Sequence, residues 1–277
     1  MQTVIKAVIP AAGLGSRMLP ITKGVPKEML PVGRKPMIQH VVEEAVASGL
    51  TQICIVIREG KETIRDYFTL RRDAVLKCDR HLDELEALVA RCGLTFIYQR
   101  EPRGLGDSLL AAREFVGDSA FVMLVPDQLM RAHVPAAQQL LEHWRGGATI
   151  WTSLVKLPKA EAPFFVGARA IEFAPGDGSN EYILGRILTE ERAREVFANA
   201  SDEVRGFGRT VYPPEIFKYL GADYTNPATG EIDLLITFAQ ATTALAHRGV
   251  LLQGEPLDLG TFEGYYRYLP RLSGAEE

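Results

Sequence analysis

Cysteine is scarce in this chain: Cys54, Cys78 and Cys92 are all it has. Their spacing forms neither a CxxC pair nor a four-ligand zinc pattern, so a disulfide framework is excluded and reduced thiols are expected. A basic excess is also lacking. Lys and Arg number 31 against 35 Asp and Glu, a formal net charge of −4, which argues against the positive field of a nucleic-acid or anionic-membrane binder. No apolar run approaches the ~20 residues of a membrane-spanning helix. Met1 to Pro10 holds only a short apolar stretch and no small-residue cleavage site, so a cytoplasmic protein without membrane contact is expected. His40, His81, His133, His143 and His247 show no ligand spacing, and no nucleophile elbow or Cys/His pair stands out.

What is present is an ordinary globular composition, 47% hydrophobic and 24% charged over 277 residues, enough for a sizeable core without staples. Up to residue 155, short β-branched runs alternate with helical patterns. Val4–Pro10, Gln52–Ile57, Thr95–Gln99, Ala120–Val125 and Thr149–Lys156 read as strands. Met37–Ala47, Glu62–Phe68, His81–Arg91, Asp107–Phe115 and His133–Trp144 read as helices. This alternation predicts an α/β fold with a doubly wound, mostly parallel, Rossmann-like sheet. Beyond Leu157 the pattern becomes α+β. Phe164–Phe173 and Glu181–Leu188 read as paired strands, Ile232–His247 as a helix with Ile232, Leu235, Phe238, Ala239, Thr242 and Leu245 near one stripe, ended by Gly249, and Val250–Gln253 as a strand. With no repeat, low-complexity tract or long linker, a single domain over 1–277 is expected, with a nucleotide-binding part at 1–155 and a remainder at 156–277.

The most informative segment is Pro10-Ala11-Ala12-Gly13-Leu14-Gly15-Ser16-Arg17, continuing to Val25-Pro26-Lys27-Glu28-Met29-Leu30-Pro31-Val32. Small residues after a first strand let backbone N–H groups approach a polyphosphate. Between positions 17 and 35 five basic residues (Arg17, Lys23, Lys27, Arg34, Lys35) face one acid, concentrating positive charge in an otherwise acidic chain. A dinucleotide-binding fingerprint is disfavoured, because Met18 takes the third glycine position and Pro20 interrupts the helix that should follow. A second block, Gln99-Arg100-Glu101-Pro102-Arg103-Gly104-Leu105-Gly106-Asp107-Ser108, ends a strand with an amide able to donate and accept, as a pyrimidine imide edge requires. A third, Val122–Asp127, delivers a carboxylate at a strand's C-terminal edge, and Asp258 supplies a second within Gly254–Gly260. Two carboxylates suit Mg²⁺, a hard ion that bridges to phosphates.

Together these blocks resemble the sugar-1-phosphate nucleotidylyltransferases, most closely the bacterial UTP-glucose-1-phosphate uridylyltransferases. The resemblance implies a mixed sheet of the nucleotide-diphospho-sugar transferase type. It implies a nucleotide site of Ala11, Ala12, Gly13, Gly15, Ser16, Glu28, Gln99 and Gly104, and catalytic roles for Arg17, Lys27 and Asp127, with Asp127 and Asp258 holding Mg²⁺. UTP or dTTP and a sugar 1-phosphate are the implied substrates, and a homo-oligomer, dimer or tetramer, the implied assembly. The expected chemistry is attack of the sugar phosphate on the α-phosphorus with release of pyrophosphate, without a covalent enzyme intermediate.

The acceptor half departs from the family. Its Val-Glu-Lys-Pro run is replaced by Ile183-Leu184-Gly185-Arg186-Ile187-Leu188-Thr189-Glu190-Glu191. Arg186 is then the candidate for the sugar phosphate, Glu190 for its hydroxyls, and Gly167, in Phe165-Val166-Gly167, for the family's Tyr-Gly position. Glu231 in Gly230-Glu231-Ile232-Asp233-Leu234 lies near the implied sugar pocket, while Asp233 suits a first-turn helix acid. The alternative to an active enzyme is a catalytically silent nucleotide- or nucleotide-sugar-binding regulator on the same scaffold.

Overall fold

The computed structural model describes residues 4–69, 79–166, 170–221, 225, 226, 230–232, 234, 237, 241 and 244–273. Strand β1 (Lys6–Pro10) pairs in parallel with β4 (Gln52–Ile57) and β6 (Phe121–Leu124), and β4 with β5 (Gly93–Tyr98). Next to β6 lies the antiparallel β11 (Asp202–Tyr212), which also pairs with β8 (Thr149–Pro158). Beyond β8 come β12 (Ala246–Leu251), parallel to it, then antiparallel β10 (Glu181–Ile187) and β9 (Ile171–Pro175). The described sheet therefore runs β5-β4-β1-β6-β11-β8-β12-β10-β9, with β11 antiparallel to both its neighbours and β10 to both of its own. From β5 to β6 this is the parallel α/β sheet that the alternation predicts, and antiparallel β11 and β10 make the whole the mixed sheet that the family resemblance implies.

Both faces are covered, and the period-two alternation of the strands shows it. Ile9, Ile53 and Ile55 belong to one core with Val41, Val42 and Ala45 of helix α1 (Met37–Ala47). Val8, Cys54 and Val56 belong to the opposite core with Leu109, Ala112 and Val116. Fully burying each valine, leucine or isoleucine among them contributes about 1.5–3 kcal/mol. Helices α2 (Glu62–Thr69) and α3 (Arg80–Ala90) follow β4, and α3 is capped by Asp79 accepting from the His81 and Leu82 amides. Cys54 is a buried free thiol, its pKa pushed up to about 12 by burial, and Cys92 is also free; Cys78 lies outside the described residues.

Several elements differ from the sequence reading. The helix expected at Asp107–Phe115 is two, α4 (Gly104–Ala111) and α5 (Arg113–Val116), and His133–Trp144 contracts to α6 (Ala136–Leu141). Where a strand is expected at Phe164–Phe173, the described residues show a 3₁₀ turn at Ala162–Phe164 and a strand over Ile171–Pro175. Thr189 caps a helix, α7 (Glu190–Val196), in a stretch to which the sequence reading assigns no element. The helix expected to end at Gly249 gives way to β12 already at Ala246. Gly249 sits inside that strand because an added Cβ would lie 2.6 Å from Leu154 Cδ1 and 2.7 Å from Leu184 Cδ2. Leu235, Phe238, Ala239, Thr242 and Asp233 of that helix lie outside the described residues. Two small pairings complete the scaffold: β2 (Pro31–Val32) with β3 (Lys35–Pro36), and β7 (Gln128–Arg131) with β13 (Glu255–Asp258). A last helix spans Phe262–Ser273.

Candidate active site

The carboxyl ends of β1, β5 and β6 open onto one cleft of about 560 Å³, the place where α/β sheets bind ligands. The first wall follows from β1. Ala11 N–H still bonds Val56 O at 2.7 Å, then the chain leaves the sheet. Gly15 turns it with φ of 69°, and Thr22 Oγ1 locks the turn by donating to Gly15 O at 2.8 Å. A short 3₁₀ turn, Ser16–Met18, follows in place of a long helix. Ala12, Gly13, Ser16 and Arg17 line the cleft; a Cβ on Gly13 would meet nothing within 4 Å, so its backbone lies open. Ala11 is wholly buried behind this wall. Of the five clustered basic residues, Arg17 and Lys27 line the cleft, whereas Lys35 pairs with Glu43 at 3.0 Å on helix α1.

Glu28 is fully buried. Lys61, itself 3% exposed, donates to both of its oxygens at 3.0 and 2.8 Å and to Ala11 O at 2.7 Å. Burial pushes the pKa of the Lys61 ammonium down, outweighing the Glu28 carboxylate that favours its charge. This pair ties the loop, the 3₁₀ turn Lys27–Met29 and the start of α2 together. Lys61 carries no sequence signal, since its partner lies far away in the chain.

The acidic wall is built by β6 and β7. Asp127 follows β6 and meets Lys27 Nζ at 2.5 Å. Burial opposes the charge on both groups, but each outweighs it for the other: Asp127 is held below the usual carboxylate range, and Lys27, with Glu28 adding to Asp127, above the usual amine range. Asp258 ends β13 opposite Gln128 of β7 and accepts from Gln128 Nε2 at 3.0 Å and from the Gly260 amide at 2.9 Å. Leu259 N–H bonds Asp127 O at 2.8 Å. A Cβ on Gly260 would lie 2.7 Å from Asp127 Oδ2 and 3.1 Å from Asp258 Oδ1, so both carboxylates face one point. Two converging oxygen donors, one already holding an ammonium, fit a hard divalent cation. Among the described residues no third His, Cys, Asp or Glu joins them, so phosphate and water oxygens would complete any coordination shell.

Gln99 follows β5 at the opposite side of the cleft and is 4% exposed. Its Nε2 donates to Asp107 Oδ2 at 2.7 Å and to Gly104 O at 3.3 Å, and its Oε1 accepts from Ser108 Oγ at 2.6 Å. Gly104 has φ of 86°, and there an added Cβ would lie 2.9 Å from Glu231 Cβ. The base-side loop therefore packs directly on the segment carrying Glu231, and Ile232 N–H bonds Arg103 O at 2.8 Å. Glu231 lines the cleft.

Two other acceptor candidates, Arg186 and Glu190, do not join it. Arg186 is exposed, and a register shift between Leu184 and Ile187 turns Ile187 into the cleft in its place. Glu190 starts α7 and faces buried Arg205, whose Nη1 and Nη2 donate to it at 3.3 Å each. Gly167 lies outside the described residues. Ile171, Thr152, Gly206, Gly208, Thr210 and Tyr212 line this half instead; β11 supplies most of them, a stretch to which the sequence reading assigns no strand.

The profile of the Nucleotidyl transferase family matches residues 6–165. UTP-glucose-1-phosphate uridylyltransferase of Bacillus subtilis (strain 168) is 34% identical over 84% of this chain and 79% of its own length. Among solved structures, UDP-glucose pyrophosphorylase complexed with UDP-glucose superposes with a TM-score of 0.81 at 25% identity, covering 97% of this chain and 98% of that one. UTP-bound UGPase from Acinetobacter baumannii gives 0.80 at 25% identity, covering 97% and 93%.

Proposed function

This chain belongs to the nucleotidyl transferase family, and from that premise we propose that it is a uridylyltransferase joining UTP and glucose 1-phosphate to give UDP-glucose and pyrophosphate. The observation that carries this reading is the convergence of Lys27, Asp127 and Asp258 across the cleft from Gln99 and Gly104. Relatives and solved neighbours named for this reaction and these ligands support it.

The chemistry needs no protein nucleophile. A sugar-phosphate oxygen attacks the α-phosphorus in line, a new P–O bond forms, and the bond to the bridging oxygen of the β-phosphate breaks as pyrophosphate leaves. In this reading the open Ala12–Gly13 backbone and Arg17 receive the triphosphate. Ala11, Gly15 and Ser16 shape that loop, and Glu28 fixes it from beneath. Lys27 keeps its positive charge in a partly buried setting, where a cation neutralises developing phosphate charge more strongly than it would in water. On substrate entry its ammonium turns from Asp127 to the phosphates. Enzymes of this family are generally metal-dependent, and Mg²⁺ is the ion we assign, held by Asp127 and Asp258; when bound it supplies positive charge to the reacting phosphates. Glu231 is assigned to the acceptor sugar. The whole chain acts as one catalytic domain, and a homo-oligomer in the cytoplasm belongs to the same proposal. No helix among the described residues is long and apolar enough to cross a membrane.

The test is pyrophosphate release from UTP, dTTP, CTP, ATP and GTP, each with a panel of sugar 1-phosphates and Mg²⁺. Turnover is expected with UTP and glucose 1-phosphate, and its loss in Arg17→Ala and Asp127→Ala. Unchanged turnover in both variants, or UTP binding without turnover on any sugar phosphate, would overturn the assignment; the second result would favour the silent binding protein.

A further inference from the structure

We propose that Asp107 is the residue that makes the cleft selective for uracil over cytosine, by fixing which end of the Gln99 amide is offered to the base. This rests on the uridylyltransferase reading, in which Gln99 faces the base.

A glutamine amide is chemically ambivalent. Turned over, it exchanges a two-hydrogen donor for a two-lone-pair acceptor at nearly the same positions, and only its partners decide between the two. Ser108 cannot decide, because a hydroxyl both donates and accepts. Asp107 can. A carboxylate only accepts, and with Asp107 Oδ2 2.7 Å from the amide, the nitrogen must face it. The other oxygen of Asp107 accepts from Arg103 Nη2 at 2.9 Å. Gln99, Asp107 and Ser108 are 4%, 6% and 4% exposed, so water does not replace a lost partner freely.

The hydrogen count then determines what Gln99 has left. Its two N–H groups are committed to Asp107 and to Gly104 O, and one lone pair of Oε1 is taken by Ser108. One lone pair remains, so toward the cleft Gln99 is an acceptor and nothing else. The imide N3–H of uracil is a donor and satisfies it. The N3 of cytosine is an acceptor and sets two lone pairs against each other. A buried mismatch of this kind corresponds to roughly 10- to 100-fold in affinity. Uracil and thymine share the imide edge, so this device excludes cytosine without separating UTP from dTTP.

The experiment measures UTP and CTP dissociation constants by calorimetry, and kcat/KM for pyrophosphate release with glucose 1-phosphate, for the unaltered protein and for Asp107→Asn, Asp107→Ala and Ser108→Ala. An asparagine amide in place of the carboxylate can donate or accept, so the acceptor-only partner left to hold the Gln99 nitrogen is Gly104 O at the longer distance of 3.3 Å, and the amide turns more readily. The UTP-to-CTP preference is expected to fall about tenfold or more in Asp107→Asn and Asp107→Ala, with the KM for glucose 1-phosphate unmoved. Ser108→Ala is expected to keep the preference. Simple destabilisation weakens both nucleotides together and leaves the ratio alone, so the ratio separates positioning from damage, and melting curves identify any variant that does not fold. An unaltered protein without preference for UTP would sink the functional reading itself. A preference present there and intact in the folded Asp107 variants, or lost in Ser108→Ala alone, would overturn this inference and leave that reading standing.

Discussion

Arg209 is wholly buried and uses its full set of guanidinium donors. Nε and Nη2 each donate at 2.7 Å to the two oxygens of Glu44, on helix α1. Nη1 donates to Val125 O at 3.0 Å and Gly208 O at 2.9 Å, and Nη2 also to Gln128 O at 2.8 Å. The Val125 and Gln128 carbonyls bracket Asp127, so one side chain in β11 holds the turn that presents this carboxylate and pins it to α1. Arg209→Met keeps the stem and removes the guanidinium with its five hydrogen bonds, leaving Glu44 largely buried with the Ala137 amide but no cation and the Val125 and Gln128 carbonyls without the guanidinium. Breaking one side of a buried pair costs about 3–5 kcal/mol, against a total of about 5–15 kcal/mol for a folded domain. At ~2–4 °C per kcal/mol for a chain of this size, the melting temperature is expected to fall by roughly 6–20 °C. Arg209→Lys should recover only part, since an ammonium cannot reproduce the fork.

The assay is urea unfolding of the unaltered protein, Arg209→Met, Glu44→Gln and the double variant. Because Glu44 and Arg209 satisfy each other, the double variant should lose clearly less than the two single losses combined, with a coupling of about 1–3 kcal/mol. An Arg209→Met loss below about 1 kcal/mol, or single losses that add within ~0.5 kcal/mol, would refute the reasoning. Either result would mean that the fork holds neither the fold nor the Asp127 turn.

Three shorter expectations follow. Gly260→Ala puts a methyl 2.7 Å from Asp127 Oδ2 and 3.1 Å from Asp258 Oδ1; turnover and Mn²⁺ binding, read by electron paramagnetic resonance, should both collapse in a protein that still folds, and unimpaired Mn²⁺ affinity would count against a shared ion site. Lys61→Met strands buried Glu28 and should cost about 3–5 kcal/mol in denaturant unfolding, largely restored by adding Glu28→Leu; no restoration would show that packing, not charge pairing, matters there. Burial pushes the His247 pKa down from 6.5 to about 4. The unfolded chain therefore takes up this proton first on acidification, and stability full above pH 6.5 is lost as pH falls through the window to about 4. Between pH 7.5 and pH 5 the loss is about 2 kcal/mol at 1.36 kcal/mol per pKa unit, and His247→Gln should remove that part of the pH dependence of the unfolding midpoint.

The elements that can be read from the chain are those whose pattern is local. Helix α1 and strand β4 have the bounds their periodicities predict, Met37–Ala47 and Gln52–Ile57, because an apolar stripe and an apolar run each report their own backbone. Strand β11 escapes this reading. It mixes Arg205 and Arg209 with Gly206 and Gly208, and Gly208 is there because a Cβ would lie 2.6 Å from Val125 Cβ, a constraint imposed by a distant turn. The two halves of the cleft divide the same way. The glycine-rich loop and the Gln99–Ser108 block are contiguous, so their residues arrive together. On the acceptor side, which residue of β10 faces inward depends on a register shift, and this favours Ile187 over Arg186.

Buried charge is the hardest feature to read, for a physical reason. Lys61, Arg205 and Arg209 look in sequence like the exposed cations around them, since their neighbours along the chain say nothing about what closes over them. Their burial depends on what the fold brings to them: Glu28 to Lys61, Glu44 to Arg209, and Glu190 beside the nearby Glu203 to Arg205. A buried cation without such a partner costs several kcal/mol. Two of the three, Lys61 and Arg209, bind backbone of the proposed site: the carbonyl of Ala11 in one case and the turn around Asp127 in the other. The residues assigned to the nucleotide can be found by motif. The geometry that gives those motifs their chemistry is set by ion pairs whose members are assembled only by the fold.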